Sequence, residues 1–240
     1  MGTVTARIDT NEWVRAAALD NAAWCAAVCR SHGLTGDFDA TAWANARRTP
    51  PLYPDAVTLS PQTTADQLLG RIDRTAPGAS VKDSFACLDL SAAGFRVLFE
   101  AQWIYRPADL PPPASSRRWT SIDDPATLTE WASAWSRDPL LRKIFRPELL
   151  ADDSVAVLGR RDDDRFTAGA VAHRSRNVVG VTNLFYDGIE AAEAWAGCLR
   201  AVHQLWPGLS IVGYERDADL TAAIHHGYTP VGPLRVWVAA

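Results

Sequence analysis

VVGVTNLF at residues 178–185 and DLTAAIHHGY at residues 219–228 decide how this 240-residue chain is read. The first is rich in β-branched residues and reads as a buried strand. The second reads as a short helix from Asp219 to His226 stopped at Gly227, where a left-handed cap suits glycine, ahead of a last strand from Leu234 to Val238. Between them lie a helix from Ile189 to Trp206 and a buried strand from Leu209 to Tyr214. That helix carries Ala192, Trp195, Leu199, Val202 and Trp206 on one face and is halted by Pro207-Gly208.

Upstream, Trp119–Ile122 reads as a strand, and Asp124-Pro125 opens a helix through Leu128, Trp131 and Trp135, with proline in the permitted first turn. Ser154–Arg160 and Thr167–His173 are strands joined to Val178–Phe185 by polar turns, an antiparallel meander. The order β-α-β-β-β-α-β-α-β predicts an α+β fold with a mixed, mostly antiparallel sheet flanked by helices.

Pro107 to Pro113 is the clearest break, because consecutive prolines continue neither a helix nor a central strand. The expected division is an N-terminal α+β domain over 1–106, a proline-rich linker over 107–118 and a second domain over 119–240. Ahead of the linker, Asn11 can cap a helix to His32. A strand at Val57–Leu59, a helix from Thr64 to Arg74, and two apolar runs at Ser84–Leu90 and Arg96–Tyr105 follow.

Composition narrows the function classes. A net charge of −4 argues against a general nucleic-acid binder. No apolar run approaches the ~20 residues of a membrane span, and the first ten residues lack signal-peptide character. The expectation is a soluble, cytoplasmic, bacterial protein acting on a small molecule, without nucleic-acid or membrane partners. Cys25, Cys29 and His32 share an apolar stripe and read as buried groups more readily than as metal ligands, so no metal is assigned. Ten Trp are present: several fall at helical spacing, leaving Trp43, Trp103 and Trp237 as candidates to line a cleft between halves.

The strand order and the His-Gly-Tyr helix ending resemble the GNAT acyltransferase superfamily over roughly Trp119 to Val238. A shortened copy of the same pattern, Asp89 to Phe95 followed by a strand with Trp103, resembles the second motif, so the chain is similar to tandem GNAT proteins with a degenerate first half. The resemblance implies acyl-CoA, acetyl-CoA or a longer homologue, lying between two splayed parallel strands, here Val178–Phe185 and Leu209–Tyr214. Thr182, Asn183 and Leu184 would offer backbone to the pantetheine, and Gly188 and Ile189 would meet the diphosphate at the next helix start. Two departures stand out. Only Gly188 remains of the family's glycine-rich loop, with Asp187, Glu190 and Glu193 around it, and Ala223 occupies the position of the family's general-acid Tyr.

Candidate proton-transfer groups are Glu215, His225, His226 and Tyr228. Glu215, at a strand end, is either a base for an amine or a surface partner of Arg216 or Arg235. The His pair either moves protons or complements the negative helix end. Asn183 is unfavourable within a strand, so it either bonds a ligand or marks a bulge. The resemblance implies transfer of an acyl group from acyl-CoA to a small-molecule or peptide amine. The alternative that the departures raise is a non-catalytic GNAT-like scaffold for a ligand or a protein partner.

Overall fold

The computed structural model describes residues 10–75, 77–115 and 117–239. In chain order the elements are α1 (Thr10–Ser31), β1 (Asp37–Phe38), β2 (Ala42–Ala44), β3 (Ala56–Thr58), α2 (Ala65–Leu69), β4 (Ser80–Asp83), a 3₁₀ turn at Ser91–Ala93 and β5 (Phe95–Arg106). After the proline-rich segment come β6 (Thr120–Ile122), α3 (Pro125–Trp135), α4 (Pro139–Arg142), a 3₁₀ turn at Pro147–Ala151, β7 (Val155–Asp162), β8 (Arg165–Ser175), β9 (Val178–Tyr186), α5 (Ala191–Leu205), β10 (Ser210–Glu215), α6 (Asp217–His225) and β11 (Thr229–Ala239). It is an α+β fold built on one mixed sheet, in the order β1-β2-β3-β4-β11-β5-β10-β9-β8-β7-β6.

The order is nearly symmetric about its centre. β3 and β4 are parallel, as are β9 and β10, and in each case an antiparallel meander lies outside them. β5 lies beside β10 and β11 beside β4, so each half's last strand completes the other half's sheet. Gly94 and Gly227, which precede these strands, both have left-handed backbone (φ 83° and 86°). The copy read in residues 89–95 is therefore a true topological repeat. The segment 107–118 joins two parts that share this sheet, and Arg106 ties it down by donating to the carbonyls of Leu110, Pro111 and His226.

α1 and α3 cover one face, and α2, α5 and α6 the other. On the first face Trp24, Cys25 and Val28 of α1 share a core with Trp131 and Leu128 of α3, and Val14 and Ala18 pack with Trp103 and Val212. On the second, Trp195, Cys198 and Leu199 of α5 pack with Ile104, Val179 and Ile211, while Leu68 and Leu69 of α2 pack with Val81 and Trp237. Cys25, Cys29 and Cys198 are buried thiols, and burial pushes them up to about 11, 12 and 12.

Several expectations shift. Ser84–Leu90 is a turn rather than a strand: the Asp83 carboxylate accepts from the N–H groups of Phe85 (3.3 Å) and Leu88 (2.7 Å), diverting the backbone from the sheet. The strand lies just before it, as β4. The helix expected over 64–74 stops at Leu69, with Gly70 closing it. β11 begins five residues before Leu234, because a register shift between Pro230 and Gly232 absorbs residues that cannot extend a regular ladder. Trp43, Trp103 and Trp237 are all buried in the cores, at 0%, 0% and 4% exposure.

A buried polar cluster locks α1 to the sheet. Asp20 Oδ1 lies 3.0 Å from His173 Nδ1 and accepts from Ser175 Oγ at 2.8 Å, and burial raises the Asp20 carboxyl above its ordinary range, against the pull of His173. A side chain at Gly180 would collide with this carboxylate. Gly180→Ala is expected to lower the unfolding free energy by about 1–3 kcal/mol, measured by urea denaturation.

Candidate functional site

β9 and β10 run together only at Val178–Gly180 and Ser210–Val212. Beyond that β9 stays paired to β8 and β10 to β5, so the two strands part and their facing edges carry peptide groups with no strand between them. Two local features open this fork. Gly213 stands where the strands separate, and a Cβ there would press to 3.0 Å from the Val181 carbonyl oxygen. On β9 the register with β8 shifts between Gly169 and Val171, inserting one extra residue, and Asn183 takes left-handed backbone (φ 54°). Of the two readings of Asn183, the bulge is the one present; its Nδ2 also lies 3.5 Å from the Tyr53 hydroxyl.

The two faces of the fork differ. Ile211, Gly213 and Glu215 alternate towards α5 and α6, while Val212 and Tyr214 face α1. On the α5 side, Glu190 precedes the helix without capping it through its side chain. Glu193 is drawn 2.7 Å onto the buried Arg160, and Asp187 3.1 Å onto Arg165. Two of the three carboxylates flanking Gly188 are thus balanced by arginines; the Glu193 N–H donates to the Glu190 carbonyl, and the Glu190 side chain leaves the turn's first N–H groups uncapped. The fork edges and this helix start fit an acyl-CoA: peptide groups for an amide-bearing arm and helix N–H groups for a diphosphate.

Glu215 sits half-buried at the mouth of the fork. Burial, with Asp219 nearby, pushes its carboxyl up to about 8. Tyr186, closing β9 across the mouth, is raised by its own burial and by the charges of Asp219, Glu215 and Glu190. The other candidate proton-transfer groups are held by the fold. Tyr228 is buried at 3% exposure with its ring 5.4 Å from that of Trp195. His226 Nδ1 lies 2.9 Å from the Ala222 carbonyl, and His225 is exposed at the end of α6. Thr182, Asn183 and Leu184 line the fork, and Gly188 and Ile189 form the turn into α5. Arg160 and Arg161 lie at one end of β8 and Arg174 and Arg176 at the other, so the four do not form a single anion site.

On the α1 face the fork opens into a cavity of about 430 Å³. Thr182, Asn183 and Tyr214 form one wall, and Trp24, Tyr53 and Lys82 of the first half another. Sequence reading missed these first-half residues. Trp24 lies inside the first helix and was not singled out, Tyr53 lies in a proline-rich loop, and Lys82 lies just ahead of a run misread as strand. The one available signal was scarcity, since Lys82 is one of only two lysines.

No protein-family model matches the chain, and no curated protein matches it. Solved structures do. A GCN5-related N-acetyltransferase from Kribbella flavida superposes with a TM-score of 0.59 at 12% identity, covering 93% of this chain and 95% of that one. The chain has the GNAT fold. A putative acetyltransferase of the GNAT family from Novosphingobium aromaticivorans shares it at a TM-score of 0.57 and 14% identity, over 93% and 99% of the two chains. A functionally unknown conserved protein from Staphylococcus epidermidis does so at 0.60 and 8%, over 88% and 96%. The GNAT likeness therefore spans both halves, not the second alone. Among the described residues, no helix is long and apolar enough to cross a membrane.

Two outcomes follow for the GNAT fork. Asn183→Val, which places a β-branched residue in left-handed backbone, is expected to cost about 1–2 kcal/mol of stability, whereas Asn183→Gly should be tolerated; chemical denaturation compares them. Because folding raises the Glu215 carboxyl from its ordinary 4.5 to about 8, its contribution to stability is complete below about 4.5 and lost as pH rises through 8. Unfolding free energies of Glu215→Gln should therefore fall less than those of the parent between about pH 5 and pH 9.

Proposed function

We propose that the protein is an acyl-CoA-dependent N-acyltransferase acting on a small-molecule amine. The observation that carries this reading is the fork between β9 and β10, with the start of α5 on one face and a cavity on the other. When bound, acyl-CoA supplies a thioester whose carbonyl carbon an amine can attack. The peptide groups of Thr182, Asn183 and Leu184 hold the pantetheine arm, and Gly188 and Ile189 bring the diphosphate to the first turn of α5. The cavity on the α1 face delivers the amine, so acceptor and acyl donor meet from opposite sides of the sheet.

The chemistry requires the C–N bond to form, the C–S bond to break and a proton to reach the departing sulfur. Glu215 faces the α5 and α6 side, the donor's side, and a carboxyl titrating at about 8 holds its proton at neutral pH. We assign it as the proton donor, in place of the base that its strand-end position suggests, and in place of the Tyr that Ala223 replaces. His225, His226 and Tyr228 then serve the fold, the first two at the end of α6 and the third in the core.

Ala223 and the acidic start of α5 favour a second reading, a GNAT-like scaffold that binds without turnover. A thermal-shift titration separates the two: acetyl-CoA or a longer acyl-CoA at one hundred times its dissociation constant should add ~2.7 kcal/mol. No shift with any acyl-CoA at millimolar concentration would sink the enzyme reading. With an acceptor in hand, Glu215→Gln should lower kcat by about 10²-fold or more with acyl-CoA binding retained. Activity of the parent should decline as pH rises through about 8. Binding without any acyl transfer would favour the scaffold.

A further inference from the structure

The cavity on the α1 face has one charged group in its lining, Lys82, and its remaining wall is largely apolar or aromatic. Lys82 is 4% exposed. Its Nζ donates to Asn21 Oδ1 at 2.9 Å and stands 4.0 Å from the centre of the Tyr214 ring. No carboxylate among the described residues lies within ion-pair distance of it. The two nearby along the chain are committed elsewhere: Asp20 to His173 and Ser175, and Asp83 to the N–H groups of Phe85 and Leu88. An ammonium has three donors, and a buried one without a counter-ion is costly to keep. Nothing in the packing compels a charge there, since β4 could carry an apolar residue against Trp24 and Val236. The cost is recovered when an anion enters.

The shape and the remaining wall select the rest of the ligand. About 430 Å³ suits one small molecule rather than a peptide. Trp24, Tyr53, Phe99 and Val236 offer an apolar body its surroundings. Lys82 belongs to the first half and Thr182 and Asn183 to the second, yet all three line the same cavity. A molecule with its anionic group on Lys82 can therefore turn its other end to the fork.

We propose that this cavity binds a small apolar molecule through its carboxylate, with Lys82 as the anchor, and, resting on the acyl-transfer reading, that the acceptor is a hydrophobic amino acid whose amine faces the fork. Lys82 is then a specificity residue, and Asn21 positions it.

Calorimetry of the whole protein without CoA tests the site, with L-phenylalanine, 3-phenylpropionate and phenethylamine as probes. The two acids should bind about tenfold or more tightly than the amine that lacks a carboxylate. Lys82→Met should remove that preference by weakening binding of the two acids, with phenethylamine bound no more weakly than by the parent. Asn21→Asp supplies an internal counter-ion, keeps side-chain size, and should do the same, so it carries the test if the first variant fails to fold. Phenethylamine binding as well as L-phenylalanine, acid binding unaltered in a folded variant, or no binding of either acid would overturn the proposal. Adding acetyl-CoA distinguishes this from the function itself. L-phenylalanine that binds but is never acetylated at its amine would overturn acyl transfer to it and leave the carboxylate site standing; acetylation of amines without preference for those that carry a carboxylate would do the reverse.

Discussion

The antiparallel pairing of β5 with β11, running from Tyr105 opposite Thr229 to Phe95 opposite Ala239, is the constraint on which the rest of the molecule depends. Each of these strands is the last of its half, and each is needed by the other half: β5 closes the inner edge of β10, and β11 that of β4. The exchange makes one sheet of two repeats and removes the exposed edges that each repeat would otherwise present. It also forces the first half against the second, which is why α1 can lie across strands of both.

The two repeats have diverged in the feature that matters for chemistry. In the second, β9 and β10 separate after three residue pairs, and a fifteen-residue helix begins at the mouth of the gap. In the first, α2 has only five residues, and the end of the corresponding strand pair is tied by the Ser84 N–H donating to Thr58 Oγ1 at 2.8 Å and by the Asp83 carboxylate gathering the following turn. Among the described residues that half shows no equivalent opening, and it lends Trp24, Tyr53 and Lys82 to the cavity beside the second half's fork. The α5 and α6 face of the fork carries carboxylates, among them the high-titrating Glu215. The cavity on the α1 face has Lys82 as the one charged group in its lining.

Much of the second half is readable from residue order. The alternating strands, the amphipathic α5 with its Pro207-Gly208 stop, and Asp124 capping α3 all follow local rules; the Asp124 carboxylate accepts from the N–H groups of Ala126 and Thr127. The first half is less legible because its strands before β5 are two to four residues long, too short for periodicity to register. The tryptophans show the same limit. Composition singled them out, yet Trp43, Trp103 and Trp237 went to the core while Trp24, which the spacing arguments did not mark, reached the cavity.

From its sequence alone, this protein was already an α+β chain with a short helix, a glycine and a strand as its ending and a shortened copy of that pattern in its first half, a candidate fork between residues 178–185 and 209–214, and Glu215 and Asn183 near it. Those are local facts, carried by hydrophobic alternation, by capping and by the cost of particular residues in particular backbone shapes. Only the tertiary structure decided that the terminal strands cross over, that Tyr228 is core, that Glu215 and the cavity lie on opposite faces, and that Lys82 stands buried beside Tyr214 without a carboxylate partner among the described residues. Strand pairing and burial join residues more than a hundred positions apart, and no window of sequence contains both partners.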